Sequence, residues 1–175
     1  MPANILITGR PGVGKTTIIK KVAAHFGNRA RGFYTEEIRK QGKRQGFSVT
    51  TLSGESGLLA HVDVQSPYRV GKYGVLVADF EQIAVIPLFQ NLRDIDLIIL
   101  DEIGKMELFS SRFVELVLTL IDFPILLFAS LMSGSHPTLS RIMLRKDVTL
   151  FTVDEENRDS LPEKLIAKIE SHLSR

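Results

Sequence analysis

The sequence predicts an α/β fold with a mostly parallel sheet and an inserted antiparallel hairpin. Three observations predict it. Short apolar, strand-like runs alternate with helix-like stretches along the chain. The segment Gly9-Arg10-Pro11-Gly12-Val13-Gly14-Lys15-Thr16 fits the phosphate-binding pattern G-x-x-x-x-G-K-[ST]. The run Leu97-Ile98-Ile99-Leu100 ends in Asp101-Glu102, as a strand buried on both faces would.

The elements follow in order. Ile5-Leu6-Ile7 reads as a first buried strand, and Thr17 to Ala24 as a helix after the glycine-rich loop. Arg31 to Ile38 reads as a strand, Gly42 and Gly46 bracket a turn, and Phe47 to Leu52 alternates like a returning strand. Leu58 to Val62 adds a third strand, so the insertion covers about residues 31–62. Ser66 to Gly74 is expected to be a loop, from its glycine and proline content. Asp79-Phe80-Glu81-Gln82 reads as a capped start of a helix toward Asn91, kinked or split at Pro87.

Beyond the Asp96 to Leu100 strand, Ser110 or Ser111 caps a helix with Phe113, Leu116, Val117 and Leu120 on one face. Pro124 to Ser130 is a central strand, expected between the first strand and the Asp101 strand. Thr138 to Arg145 reads as a short helix and Val148 to Val153 as a strand. Ser160-Leu161-Pro162-Glu163 has the form of a capping box. It opens a last helix whose Leu161, Leu165, Ile169 and Leu173 face the core. Helices on both faces of the sheet would make a three-layer sandwich.

At 175 residues, with 44% hydrophobic and 24% charged residues, the chain is expected to form a single domain over 1–175. A net charge of +2 says little about partners. With no cysteine, a disulfide framework, a cysteine–zinc site and a thiol nucleophile are excluded. The start runs directly into the first strand, and the apolar stretch Phe123 to Met132 is too short to span a bilayer. A cytoplasmic monomer without a membrane association is the expectation.

The candidate site has two halves. In the first, backbone N–H groups of a turn rich in glycine line an anion-sized cup over a helix N-terminus. Gly9, Arg10, Pro11, Gly12, Val13, Gly14, Lys15, Thr16 and Thr17 are the nucleotide-binding candidates. Lys15 would reach the outer phosphates, and Thr16 would hold magnesium. In the second half, Asp101 ends a buried strand at the sheet edge where ligands bind in open α/β sheets. It would complete the magnesium site with Thr16. Glu102 is placed to deprotonate the water that attacks the γ-phosphate. Ser130, at the end of its own strand, is a candidate to bond the phosphate or that water. A strand-end hydroxyl bonded within the protein is its alternative reading.

The string Asp101-Glu102-Ile103-Gly104-Lys105-Met106-Glu107-Leu108-Phe109 resembles a known family, the small P-loop nucleoside-triphosphatases of archaea, thermophilic bacteria and animals. Vertebrate members are called cancer-related nucleoside-triphosphatase. The similarity extends to Gly32-Phe33-Tyr34-Thr35-Glu36, Gly71-Lys72-Tyr73-Gly74 and Glu156-Asn157-Arg158, and so over nearly the whole chain. The resemblance implies a P-loop fold of the additional-strand, catalytic-glutamate type. It also implies magnesium-dependent hydrolysis of nucleoside triphosphates with loose base preference. Ser130 departs from it, since threonine is expected near there in some relatives.

Four further readings stay open. Lys105, with Gly104 before it for backbone freedom, is a candidate cation for the γ-phosphate or a surface lysine paired with Glu107. Asn157 and Arg158 are candidates to bond and stack on the base, against an ordinary strand-to-helix loop. Arg39, Lys40, Lys43 and Arg44 at the hairpin tip read first as a solvated edge. They leave nucleic-acid binding and a lid as alternatives. His25, His61, His136 and His172 lack metal spacing and read as structural or solvated. Two rivals to a hydrolase remain: a small-molecule or nucleic-acid kinase on the same scaffold, and a nucleotide-dependent nucleic-acid-binding module.

Overall fold

The apolar runs of the sequence become the strands of one nine-stranded sheet. The structure is a computed structural model and describes residues 4–90 and 92–174. The strands are β1 (Asn4–Thr8), β2 (Ala30–Lys40), β3 (Lys43–Thr51), β4 (Ser56–His61), β5 (Arg69–Val70), β6 (Tyr73–Val75), β7 (Leu97–Ile103), β8 (Leu126–Leu131) and β9 (Val148–Thr152). Their order is β5-β6-β4-β3-β2-β7-β8-β1-β9. Strands β2, β7, β8, β1 and β9 are parallel, and β3, β4, β6 and β5 continue the sheet antiparallel.

The helices are α1 (Lys15–Phe26), α2 (Val77–Phe80), α3 (Ser111–Leu120), α4 (Pro137–Met143) and α5 (Leu161–Leu173). They serve two cores, because side chains leave the strands on alternating faces. Ile5, Ile7, Leu97, Ile99 and Phe128 bury one face with Ile18, Ile19 and Val22 of α1 and Leu165 and Ile169 of α5. Leu6, Ile98, Leu100, Leu127 and Ala129 bury the other with Phe80, Phe113, Leu116 and Ile142. Phe33, Phe80 and Phe113 meet there in edge-on and tilted ring contacts, 5.3–5.9 Å between centroids. Both faces of the central strands are thus covered, as their unbroken apolar runs require.

Strand β8 lies between β1 and β7, as expected of the 124–130 segment, although Pro124 and Ile125 precede the strand. Ser110 caps α3, its Oγ accepting from the Phe113 N–H at 3.0 Å. His136 caps α4, Nδ1 accepting from the Thr138 N–H.

Several local expectations are corrected. Residues 66–74 are not wholly loop: β5 and β6 form a small hairpin there, with Arg69 opposite Gly74. The glycines and proline hide it, yet Tyr73 and Val75 are buried and β6 closes on β4. Helix α1 starts at Lys15, not Thr17. Asp79 does not cap α2, which starts at Val77 without a side-chain cap. The helix then widens over Glu81–Val85 and tightens over Ile86–Phe89, where Pro87 supplies no N–H. Its expected end at Asn91 lies outside the described residues. The Ser160 capping box is not made either. Ser160 is already helical in backbone, and its Oγ donates to the Asn157 carbonyl.

The join between the parallel and antiparallel parts rests on Gly32. Its φ is +142°, and a Cβ there would sit 1.7 Å from the Ile99 carbonyl oxygen of β7. Gly32→Ala is therefore expected to lower stability by about 4 kcal/mol or more, or to prevent folding. Chemical denaturation compared with the native chain measures it, and a loss under about 1 kcal/mol would contradict this account.

Candidate active site

The site forms where the glycine-rich loop leaves β1 and meets the carboxyl ends of β7 and β8. The loop turns through the Val13 N–H to Arg10 carbonyl bond. Gly12 and Gly14 take φ of +79° and +117°, values that a side chain disfavours. Gly14 is the cap residue of α1, and no side chain satisfies that helix's first N–H groups. These donors lie at the N-terminus of a helix of 12 residues, the kind of place where backbone N–H groups can meet an anion.

Lys15 is 8% exposed and folds back over the loop. Its Nζ donates to the Gly9 carbonyl at 2.7 Å and to the Arg10 carbonyl at 3.4 Å. The same Nζ lies 3.6 Å from Glu102 Oε2. Ser133, which sequence reasoning missed, also donates to the Gly9 carbonyl at 2.8 Å. No pattern marks it, because the β8–α4 loop reaches the phosphate loop only through the sheet order.

Asp101 is 1% exposed and joins three elements. Oδ2 accepts from Thr16 Oγ1 at 2.7 Å, and Oδ1 accepts from Ser130 Oγ at 2.5 Å. The Thr35 backbone of β2 also donates to it. Burial still dominates and raises its pKa, with the Ser130 and Thr16 bonds opposing. Ser130 is fully buried and donates to Asp101, so its in-protein reading is the one its bond supports. Glu102 is half-buried, and the Asp101–Glu102 peptide is cis. Burial raises the Glu102 pKa, while Lys15 beside it lowers it.

The sequence offers Glu107 only as a surface partner of Lys105. It is instead 5% exposed and faces inward. Burial pushes its pKa up to about 8, against opposing bonds from the backbone at Glu107 and Gly104. Lys105 is exposed just past the strand end. Gly104 keeps an ordinary φ, so backbone freedom is not its reason. A Cβ there would meet Glu102 Oε1 at 2.8 Å and Glu107 Oε2 at 2.9 Å.

The loop after β9 covers the phosphate loop from the other side. Arg10 pairs with Glu155, and Arg158 Nη1 donates to the Val13 carbonyl at 3.4 Å. Asn157 uses both ends of its side chain on this loop: Oδ1 accepts from the Asp154 N–H, and Nδ2 donates to the Thr152 carbonyl. At the hairpin tip, Arg39 and Arg44 both pair with Glu37, and Arg44 donates to Tyr73 Oη while lying over Phe47. These contacts fit the solvated-edge reading. His25 pairs with Glu170 far from the site.

Do these residues suit magnesium? Thr16 and Asp101 supply two hard oxygen donors in contact, the donor type that magnesium prefers. Among the described residues no cluster of three or more His, Cys, Asp or Glu is arranged to hold a metal by itself. That also fits an ion whose remaining ligands are phosphates and water. Glu102 and Asp101 share one lysine, Lys15, so bound phosphates would need added positive charge.

A family model described as NTPase matches residues 4–166. The chain is 52% identical over 163 residues to the nucleoside-triphosphatase THEP1 of Thermotoga petrophila, covering 93% of this chain and 90% of that one. It is 39% identical to the cancer-related nucleoside-triphosphatase homolog of Mus musculus, with 98% of each chain covered. The crystal structure of THEP1 from Aquifex aeolicus superposes with a TM-score of 0.88 at 37% identity, covering 95% of this chain and 99% of that one. Among the described residues no helix is long and apolar enough to cross a membrane.

The buried Glu107 carries a pH prediction. A carboxyl group raised from 4.5 to about 8 binds more protons folded than unfolded between those values. Stability is therefore expected to fall as pH rises through that window, by at most about 1.4 kcal/mol per pH unit from this group. Asp101 and Glu102 act in the same direction. Glu107→Gln should leave a shallower fall. Melting temperatures from pH 5 to pH 9 test it, and parallel curves for both proteins would contradict it.

Proposed function

The chain belongs to the nucleoside-triphosphatase family, and from that premise we propose a magnesium-dependent phosphatase that converts ATP, GTP, CTP and UTP to the nucleoside diphosphates and phosphate. Its family makes it a hydrolase. One observation carries the finer reading. Asp101 Oδ2 and Thr16 Oγ1 touch at 2.7 Å, with Glu102 the next residue and its carboxylate 3.6 Å from the phosphate-loop lysine. A metal site, an anion site and a base are then within one side chain of each other.

The phosphates are proposed to sit against the N–H groups from Gly12 to Thr17, over the N-terminus of α1. Lys15 leaves the Gly9 carbonyl for the β- and γ-oxygens, a stronger acceptor set because it is ionised. Thr16 and Asp101 would hold magnesium, with Ser130 fixing the Asp101 carboxylate through its Oδ1. When bound, magnesium supplies neutralisation of charge across the β- and γ-phosphates. Glu102 orients a water in line with the γ-phosphorus and takes its proton. The phosphate–oxygen bond to the diphosphate then breaks as the water oxygen bonds phosphorus. Lys105, exposed past Glu102, is proposed to face the departing negative charge.

Loose base preference fits the loop at Glu156-Asn157-Arg158. Asn157 shapes that loop through its own backbone bonds, which leaves the exposed Arg158 to meet the base by stacking, a contact that every base provides. The hairpin does not favour nucleic acid, because Arg39 and Arg44 are paired with Glu37.

Phosphate release from the four triphosphates with magnesium tests this reading. The native chain is expected to act on all four. Glu102→Gln should lose turnover by roughly 100-fold or more while nucleotide still binds. Lys15→Ala should lose both turnover and binding. Lys105→Ala should lower kcat more than affinity, and an unchanged kcat would return Lys105 to the surface. Tight binding without release, followed by phosphate on an added acceptor, would replace the hydrolase with a kinase.

A further inference from the structure

We propose that Glu107 is a positioning residue for hydrolysis: its buried carboxyl group stands behind Glu102 across Gly104 and fixes where the Glu102 carboxylate sits. This rests on the reading of Glu102 as the base. The geometry is specific. Glu102 Oε1 and Glu107 Oε2 both lie within 3 Å of the point where a Gly104 Cβ would stand, so the two oxygens are less than about 6 Å apart. A Cβ at Gly104 would press on both carboxyl ends, and one or both would have to shift. The chain also turns tightly there, the Leu108 N–H donating to the Gly104 carbonyl at 2.9 Å and the Ser110 N–H to the Glu107 carbonyl at 3.0 Å. The Glu107 carboxyl group also accepts from the Glu107 and Gly104 backbone, which ties it to this turn.

A carboxyl group sealed in an interior costs stability, and an apolar side chain of similar volume would suit the same space. Its placement is explained by what Glu102 needs. In the structure Glu102 is held in front by Lys15 at 3.6 Å. Once Lys15 turns to the phosphates, that restraint is gone. Glu107 remains, and the charged groups facing it are Glu102 and Asp101. Burial keeps its proton on up to about 8. At neutral pH it thus keeps its proton and adds no second negative charge beside Glu102. Asp and Gln differ from Glu here in reach and in donor strength, which separates positioning from mere space filling.

The experiment measures kcat, KM and the Kd of a non-hydrolysable ATP analogue with magnesium for Glu107→Leu, Glu107→Gln and Glu107→Asp. Melting temperature is read beside them. Glu107→Leu is expected to lower kcat by about 10- to 100-fold, with the analogue Kd within about 2-fold of the native chain. Glu107→Gln should recover most of that loss. In a Glu102→Gln background, Glu107→Leu should cause no further fall, because the residue it positions is already gone. Native kcat in Glu107→Leu, or an equal fall in both backgrounds, would overturn the proposal. Where the leucine variant fails to fold, Glu107→Asp decides: a lower kcat at unchanged Kd supports it, and native kcat overturns it. Native turnover in Glu102→Gln would remove the underlying reading as well. Loss in Glu102→Gln with native turnover in Glu107→Leu removes this inference alone.

Discussion

A single buried carboxylate sets the constraint on which the site depends. Asp101 sits at 1% exposure, where an isolated negative charge is strongly disfavoured. The protein meets that demand with donors from three places: Thr16 on α1, Ser130 on β8 and the Thr35 backbone on β2. Each donor fixes an element relative to β7. The strand order β2-β7-β8-β1 follows the same logic, since it lets a hydroxyl from β8 and a helix leaving β1 converge on one strand end. The bonds do not fully offset burial, because the net push on Asp101 is still upward. A cation beside it would relieve that remainder.

Charge balance extends the argument to the neighbours. Lys15 is the nearby cation of Glu102 and bonds the Gly9 and Arg10 carbonyls. It is shared among acceptors that a phosphate group would outcompete. Gly104 then has a role that its type alone does not disclose. It leaves room for two carboxyl groups to approach, one half-exposed and one sealed. The turn after Glu102 and the site in front of it are parts of one packing arrangement.

The antiparallel extension is more peripheral. Strand β2 begins beside β7 and runs past it, leaving its far half to pair with β3 alone. At its tip Arg39 and Arg44 share Glu37, and aromatic contacts hold Arg44 down over Phe47 and Tyr73. Paired charges on an edge discourage strand addition from other chains. The junction is less tolerant, since Gly32 lets β2 pass close to Ile99.

Local pattern determined much of this protein. The glycine-rich loop, Lys15, Thr16, the apolar run ending in Asp101-Glu102 and the alternation of strands and helices were legible because each is a short-range rule: a turn geometry, a cap, a periodicity. Such rules fail where the deciding partner is distant in sequence. The β5–β6 hairpin was hidden because strands of two and three residues exist only through their pairing, β5 with β6 and β6 with β4. The Ser160 cap failed because its hydroxyl found the Asn157 carbonyl instead. Ser133 on the Gly9 carbonyl and the inward turn of Glu107 had no local sign. By itself the sequence marked the candidate residues for binding phosphate and acting on water. Only the tertiary structure decided which carboxylates are buried, what each one touches and which charges share a lysine, because burial and Coulomb energy depend on neighbours that the chain brings together only when it folds.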